Sequence, residues 1–154
     1  TMMMAYIEAY RTTSNRAHLE KALLILESFD RHYLDKVTGS YWGHHKSDIK
    51  GLSGNNNMAW VLLDLYEATG QELYLEKAGK VISYIVSPDI YDNEQGILCH
   101  HFEKTEGRAS YACTGCNFHF LYIIFRYNRY REGVRHESES ELIMQMPDSN
   151  ENGG

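Results

Sequence analysis

Apolar side chains recur at helical spacing in five segments of this chain, and polar residues with glycines separate the segments. Periodicity of three to four residues is the pattern of an amphipathic helix packed on one side. It predicts helices over residues 2–13, 16–34, 55–69, 72–86 and 116–130. The chain is therefore predicted to have an all-α fold.

The predicted helices alternate in character. Residues 55–69 are apolar nearly all round, whereas residues 72–86 keep one polar face. A helix that is apolar all round packs on both sides and lies inside a fold, whereas an amphipathic helix lies outside. Residues 35–54 and 89–114 form long loops that lead into inner helices. This alternation predicts tandem helical hairpins that form part of an (α/α)6-type toroid.

The sequence also repeats itself. YRTTSNRAHLEKA at 10–22 matches YEATGQELYLEKA at 66–78, a shift of 56 residues from Tyr10 to Tyr66. The same shift places His44-His45 on His100-His101. A third unit begins at Asn117, where NFHFLYIIFRY matches NMAWVLLDLY beginning at Asn57. In repeat architectures no unit buries its apolar face alone, so the units are expected to stack.

The repeat sets the predicted domain boundaries. Residues 1–132 form an incomplete helical-hairpin domain, and the acidic residues 133–154 form a disordered tail. One interpretation is a fragment of a larger toroid, and the other is a small three-hairpin domain. An incomplete ring would expose an apolar strip on the last inner helix, formed by Phe118, Leu121, Tyr122 and Phe125. We therefore expect self-association through that face.

Charge narrows the range of partners. The net charge is −6, and five carboxylates after Arg135 account for most of it, so the helical body is near −1. That body has no basic face for nucleic acid. No apolar run approaches the roughly 20 residues of a membrane span. The sequence predicts neither a nucleic-acid nor a membrane partner, and it does not indicate a cellular compartment.

One stretch resembles a known group of enzymes. NNNMAWVLLDLYEATGQELYLEKAGKVISYI, at 55–85, resembles the inner and outer helix pair of α/α-toroid carbohydrate enzymes, nearest to the family 76 glycoside hydrolases that act on α-1,6-mannan. Its LY-ATG-YL-KA run also occurs in toroids similar to acylglucosamine 2-epimerase and unsaturated glucuronyl hydrolase. The resemblance covers roughly residues 55–127. It implies an α/α toroid with a carbohydrate ligand.

The chain departs from the hydrolase pattern at the position of the chemistry. The adjacent aspartates of family 76, its nucleophile and acid, match Asn55 and Asn56 here. Glycoside hydrolysis usually needs two carboxyl groups flanking the scissile bond, and an amide supplies neither charge nor proton. Epimerase-type toroids place His and Glu at comparable helix starts, and GNNNMAW lacks both. Asn55 and Asn56 thus mark the catalytic position by resemblance, and the loop carboxylates most suited to acid or base work are Asp48 first and Glu103 second.

Histidines and aromatic residues of the loops complete the candidate site. His44, His45, His100 and His101 can shuttle a proton or hydrogen-bond a sugar hydroxyl. Aromatic faces stack on sugar rings, so the predicted sugar-binding set is completed by Tyr41, Trp42 and Trp60. The alternative for each is a structural role, with the rings packed over the ends of the helices.

The cysteines offer a different hypothesis. Cys113 and Cys116 form a CxxC at a predicted helix start, where a thiolate is stabilised, and Cys99 and His100 lie in the same loop. LCHH at 98–101 faintly resembles the zinc ligand segment of lanthionine cyclases. A zinc site is conceivable from these residues, although inert buried thiols are the simpler interpretation, and the sequence predicts no metal or cofactor.

These observations predict a carbohydrate-active, glycoside hydrolase-like toroid protein that lacks its catalytic carboxylates in this segment. Two alternatives remain: a non-catalytic glycan-binding or scaffold remnant, and a zinc-holding toroid enzyme that uses Cys and His loop residues.

Overall fold

The computed structural model describes residues 2–44 and 47–144, with side chains up to residue 133. The helices are α1 (Met2–Thr13), α2 (Arg16–His32), α3 (Leu52–Thr69), α4 (Glu72–Ile85) and α5 (Thr114–Met144). The short strands are β1 (Ile49–Gly51), β2 (Tyr91–Asp92), β3 (Ile97–Leu98), β4 (His101–Glu103) and β5 (Gly107–Arg108).

The five predicted helices are all present, and their ends differ most at α3 and α5. Helix α3 begins at Leu52, three residues before the predicted start. Helix α5 continues to Met144 instead of ending near residue 130. A single glycine such as Gly133 does not end a helix, and the next proline is Pro147. The first part of the predicted disordered tail is thus helical, and residues 145–154 lie outside the described part.

The long loops contain small sheets, so the fold is mostly helical but not all-α. Strands β1, β4 and β5 form one antiparallel sheet, and β2 pairs with β3 in another. Strand β1 belongs to the first long loop and β4 to the second, and Lys50 lies opposite Phe102 in their register. Strands of two or three residues are too short to show an alternating pattern, which is why the sequence did not reveal them.

The helices pack as hairpins, with α1, α3 and α5 side by side and α2 and α4 behind them. Three contacts show that α3 and α5 run parallel. The Asn56 side chain binds the Cys116 carbonyl near the start of both helices. Further along, Trp60 stacks on Tyr122, and Tyr66 meets Tyr130. The expected stacking of the repeat units is confirmed for the inner helices α3 and α5, and Leu62 and Leu65 of α3 are fully buried.

The repeat is visible in the turn that opens each long loop. Asp35 accepts a hydrogen bond from the amide of Val37, and Asp92 accepts the equivalent bond from the amide of Glu94. Gly39 and Gly96 close the two turns with φ of 74° and 67°. A cation holds each aspartate: Lys50 Nζ lies 2.5 Å from Asp35, and an Arg108 nitrogen lies 3.0 Å from Asp92.

The two turn glycines give a matched test of this packing. Both adopt a left-handed conformation that costs a non-glycine residue about 1–2 kcal/mol. A Cβ at Gly39 would lie 2.6 Å from Cβ of Lys80, whereas a Cβ at Gly96 would meet nothing within 4 Å. We expect Gly39→Ala to destabilise the protein more than Gly96→Ala in urea unfolding. Equal losses would show that α4 moves freely away from the first turn.

Candidate functional site

Both long loops lie at the same end of the bundle, where α3 and α5 begin. The amide of Leu52, the first residue of α3, donates to the carbonyl of His100 at 2.9 Å. Lys104 of the second loop pairs with Asp48 of the first, also at 2.9 Å. These contacts hold the two loops together at one end of the bundle. Asp48 itself is exposed and engaged in that ion pair.

The first of the two predicted catalytic amides, Asn55, is buried and fully hydrogen-bonded. Its Oδ1 accepts from the amide of Tyr41 at 2.8 Å. Its Nδ2 donates to the carbonyls of Tyr41 at 3.1 Å and Gly51 at 3.0 Å. The side chain therefore fastens the first long loop to the first turn of α3.

Asn117 repeats this arrangement in the next unit. Its Oδ1 accepts from the amide of Leu98, and its Nδ2 donates to the carbonyls of Leu98 and Cys113. Asn117 is thus the structural equivalent of Asn55, a shift of 62 residues. The sequence alignment of Asn117 with Asn57 was wrong by two residues, because the second long loop is longer than the first.

Asn56, the second predicted catalytic amide, is fully buried between α3 and α5. Its Nδ2 donates to the carbonyl of Cys116 at 2.8 Å. Its Oδ1 is buried and has no hydrogen-bond partner among the described residues. Both predicted amides point into the protein and bind backbone groups.

Tyr41 and Trp42 line a cavity of about 330 Å³ between α1 and α3, together with Gly54 and Asn57. Tyr41 is almost fully buried, and its hydroxyl donates to Asp30 at 2.6 Å. Burial, and then the Asp30 carboxylate, raise the pKa of Tyr41 far above its usual value. Tyr41 is therefore a neutral structural group, and the half-buried Trp42 ring is the aromatic surface of this cavity.

The Trp42 ring lies between two ammonium groups. Nζ of Lys50 is 4.3 Å from the ring centroid, and Nζ of Lys104 is 4.5 Å from it. Cation–π contacts of this kind hold the ring in place. The ring thus joins the first loop to the second.

His100 and His101 meet in the loop layer. Their Nδ1 atoms are 3.1 Å apart, and the His100 ring stacks on Tyr111 with centroids 5.1 Å apart. Backbone hydrogen bonds show which residues of the first loop are equivalent to these two histidines. The amide of Gly43 donates to Ile49, and the amide of His100 makes the equivalent bond to Tyr111.

Gly43 is thus the equivalent of His100, and His44 corresponds to His101. The expected superposition of His44-His45 on His100-His101 is wrong by one residue. His44 lies in the first loop beside Ser47, whose amide donates to its carbonyl at 2.9 Å. The predicted residue His45 lies outside the described residues.

A cluster of partly exposed aromatic and imidazole side chains lies on the inner face, the side of α1, α3 and α5 turned away from α2 and α4. Trp60 stacks on Tyr122 at 5.0 Å between centroids and meets His119 at 5.1 Å. Burial lowers the pKa of His119 below its usual value. The imidazole is therefore neutral at pH 7 and can accept a proton.

A charged network follows the aromatic cluster along the same face. Arg126 binds Asp64 at 2.8 Å and Glu67 at 3.1 Å, and Arg11 of α1 also pairs with Glu67. Burial raises the pKa of Asp64, and Arg126 opposes that effect. The carboxylates of this network are neutralised by arginines and link the three inner helices.

Of this inner-face cluster, the sequence predicted only Trp60 as a sugar-binding residue, and it placed Tyr122 in the apolar strip of the last inner helix. The corrected shift of 62 residues places His119 on Asn57, Tyr122 on Trp60 and Arg126 on Asp64. An alignment of the sequence at that shift would have matched the two stacked aromatic residues with each other. The signal was hidden because the two long loops differ in length.

The part of the chain that the structure describes has neither a metal-binding cluster nor a membrane-spanning helix. No group of three or more His, Cys, Asp or Glu side chains there could hold a metal ion. No helix there is long and apolar enough to cross a membrane.

Comparisons with known proteins agree on the fold. The sequence model of the family described as N-acylglucosamine 2-epimerase (GlcNAc 2-epimerase) matches residues 1–114. No curated protein sequence matches the chain at a significant level.

Among solved structures, cellobiose 2-epimerase from Bacillus thermoamylovorans aligns over 83% of this chain and 37% of its own, with a TM-score of 0.70 and 15% identity. The cellobiose 2-epimerase from Spirochaeta thermophila aligns over 88% of this chain and 39% of its own, with a TM-score of 0.69 and 18% identity. The family 76 α-1,6-mannanase from Salegentibacter sp. aligns over 83% of this chain and 39% of its own, with a TM-score of 0.71 and 19% identity. The chain thus spans less than two fifths of each structure. The predicted resemblance to α/α-toroid carbohydrate enzymes is confirmed, and at these identities the structures establish the fold alone.

Proposed function

The chain belongs to the N-acylglucosamine 2-epimerase family, and from this membership we propose that it forms part of a sugar-binding α/α toroid that epimerises a reducing sugar at carbon 2. The observation that carries the proposal is the cluster of Trp60, His119 and Tyr122 on the inner face. Aromatic rings offer flat apolar surfaces for the C–H face of a sugar, and the imidazole lies beside them.

Epimerisation beside a carbonyl needs a base more than a strong acid. The hydrogen at carbon 2 of the open-chain aldehyde leaves as a proton, the resulting enediolate holds the charge, and a proton returns to the opposite face. A positioned imidazole suits the first step because it is neutral at the working pH. His119 meets this condition, since burial lowers its pKa. We propose His119 as the base and Trp60 with Tyr122 as the sugar platform.

Hydrolysis, the activity predicted from the resemblance, has less support. It needs two carboxyl groups that flank the bond. Asn55 and Asn56 are neutral and buried, and Asp64 and Glu67 on the inner face are bound to arginines. We assign Asn55 to anchoring the first long loop and Asn56 to joining α3 to the first turn of α5. The zinc hypothesis rests on the sequence alone.

Hydrogen exchange tests the proposal directly. The chain is incubated with N-acetylglucosamine, cellobiose or mannose in deuterium oxide, and deuterium at carbon 2 is followed by NMR. His119→Asn should lose this exchange while keeping sugar binding, because an amide cannot take the proton. His32→Asn, on the exposed end of α2, is the matched control. Because the pKa of His119 is lowered, exchange should persist below pH 6.5 and vanish once the imidazole is protonated.

Fluorescence separates binding from turnover. The chain has two tryptophans, so Trp42→Phe leaves Trp60 as the sole reporter. Sugars should change its emission. In isothermal titration calorimetry, which needs no tryptophan, Trp60→Ala should weaken affinity about tenfold, roughly 1.4 kcal/mol for a lost stacking partner. Binding without exchange would support the glycan-binding remnant. Binding unaffected by Trp60→Ala would overturn the assignment of the inner face.

A further inference from the structure

We propose that Cys113 and Cys116 form a reversible dithiol–disulfide site at the start of α5. Helix α5 begins at Thr114, so Cys113 occupies the capping position and Cys116 the first turn. The amide of Cys116 donates to the sulfur of Cys113 at 3.3 Å, and the two thiols are hydrogen-bonded to each other. Both cysteines are free and partly exposed.

The two thiols are chemically unequal. Hydrogen bonds from the Cys116 thiol, and then from its amide, lower the pKa of Cys113. Burial, and then the Cys113 sulfur, raise the pKa of Cys116 to about 11. A thiolate at a helix start attacks, and its partner resolves the mixed disulfide. Cys113 therefore has the role of nucleophile and Cys116 that of resolving thiol.

The fold itself does not require these thiols. By the 62-residue shift, Cys113 corresponds to Gly51 and Cys116 to Gly54. The first turn of α3 is held by Asn55 in the way that Asn117 holds the first turn of α5, without any sulfur. Gly115, between the cysteines, is exposed, and a Cβ there would meet nothing within 4 Å, so this side of the CxxC is open to solvent.

The site is connected to the inner face. The hydroxyl of Ser53 on α3 hydrogen-bonds the Cys116 sulfur, and Asn56 holds the Cys116 carbonyl at 2.8 Å. His119 follows one helical turn later. Oxidation would tie the first turn of α5 to its cap, and the next turn carries the proposed base.

The reaction balances with a low-molecular-weight disulfide as oxidant. The Cys113 thiolate attacks one sulfur of glutathione disulfide, the S–S bond breaks, and one glutathione thiolate leaves. Cys116 then loses its proton and attacks the Cys113 sulfur, which releases the second glutathione. The protein loses two electrons and two protons, and the oxidant becomes two thiols.

Mass spectrometry of the 154-residue chain tests the proposal with an internal control. Trypsin leaves Cys113 and Cys116 together in the peptide 109–126, and Cys99 in 81–104. In buffers of increasing glutathione disulfide, the first peptide should lose two hydrogens. Cys113 should react with iodoacetamide at least about tenfold faster than Cys99, whose pKa is raised by burial.

Two variants divide the roles. Cys116→Ser should stop at a stable glutathione adduct on Cys113, because no thiol remains to resolve it. Cys113→Ser should gain no adduct under the same conditions. A wild-type peptide that stays reduced in oxidising buffer, or equal alkylation rates at Cys113 and Cys99, would overturn the proposal even if both variants failed to fold.

Discussion

Asn55→Asp should destabilise the protein by about 3–5 kcal/mol at pH 7, the range for a buried charge without a partner. Asn55 Nδ2 donates to the carbonyls of Tyr41 and Gly51. A carboxylate would face both oxygens without a proton to share, in a position only 1% exposed. Stabilities of small domains are typically 5–15 kcal/mol, so such a loss would consume much of the total.

The pH dependence of this variant has a defined sign. Burial beside carbonyls raises the pKa of the new carboxyl in the folded state above its unfolded value of roughly 3.9. The folded state then binds more protons, and stability falls as pH rises between these two pKa values. The loss of stability relative to the wild type should therefore become smaller as pH falls toward about 4, where the protonated carboxyl can donate to one carbonyl again.

Urea unfolding at pH 7 and pH 4 measures both effects. Asn57→Asp is the matched control, because Asn57 lies two residues further along α3 and lines the cavity at the loop end. Asn117→Asp should change stability in the same direction but by less, since its hydrogen bonds are the same and its side chain is only partly buried. Wild-type stability of Asn55→Asp would mean that the side chain reaches solvent. In that case the position would again be open to the carboxylate chemistry that the hydrolase resemblance implied.

The 154-residue chain should self-associate through α5. Phe118, Leu121, Tyr122 and Phe125 are 68, 60, 51 and 62% exposed, and they follow one another along the helix. They form the apolar strip predicted from the sequence. Contiguous exposed apolar patches of this kind mark contact surfaces, and each aromatic ring buries about 150–250 Å² when covered.

Sedimentation velocity over a range of concentrations measures this association. The double change Leu121→Lys and Phe125→Lys should shift the chain to monomer and raise the dissociation constant by at least about a hundredfold, or roughly 2.7 kcal/mol. Leu24→Lys is the control, because Leu24 is 65% exposed on the outer helix α2, away from the strip. A wild-type chain that remains monomeric at high concentration would contradict the prediction.

The sequence by itself determined the helices, the repeat and the apolar strip. Helix periodicity is local, since each apolar position depends on neighbours three or four residues away. Ala22 and Ala78 match at the 56-residue shift and are both fully buried. The exposure of Phe118 and Leu121 was predicted from the same helical periodicity, because α5 was expected to have an apolar side that no further inner helix covers.

The tertiary structure alone decided what the loops do. The pairing of β1 with β4, the equivalence of Asn55 with Asn117 and the correspondence of His44 with His101 all depend on backbone hydrogen bonds between residues distant in sequence. An extra few residues in one loop change that register without changing the helices. For this reason the sequence identified Trp60 as a sugar-binding residue but did not pair it with His119 and Tyr122. Their meeting on the inner face depends on how far α5 is displaced along α3, which only packing fixes.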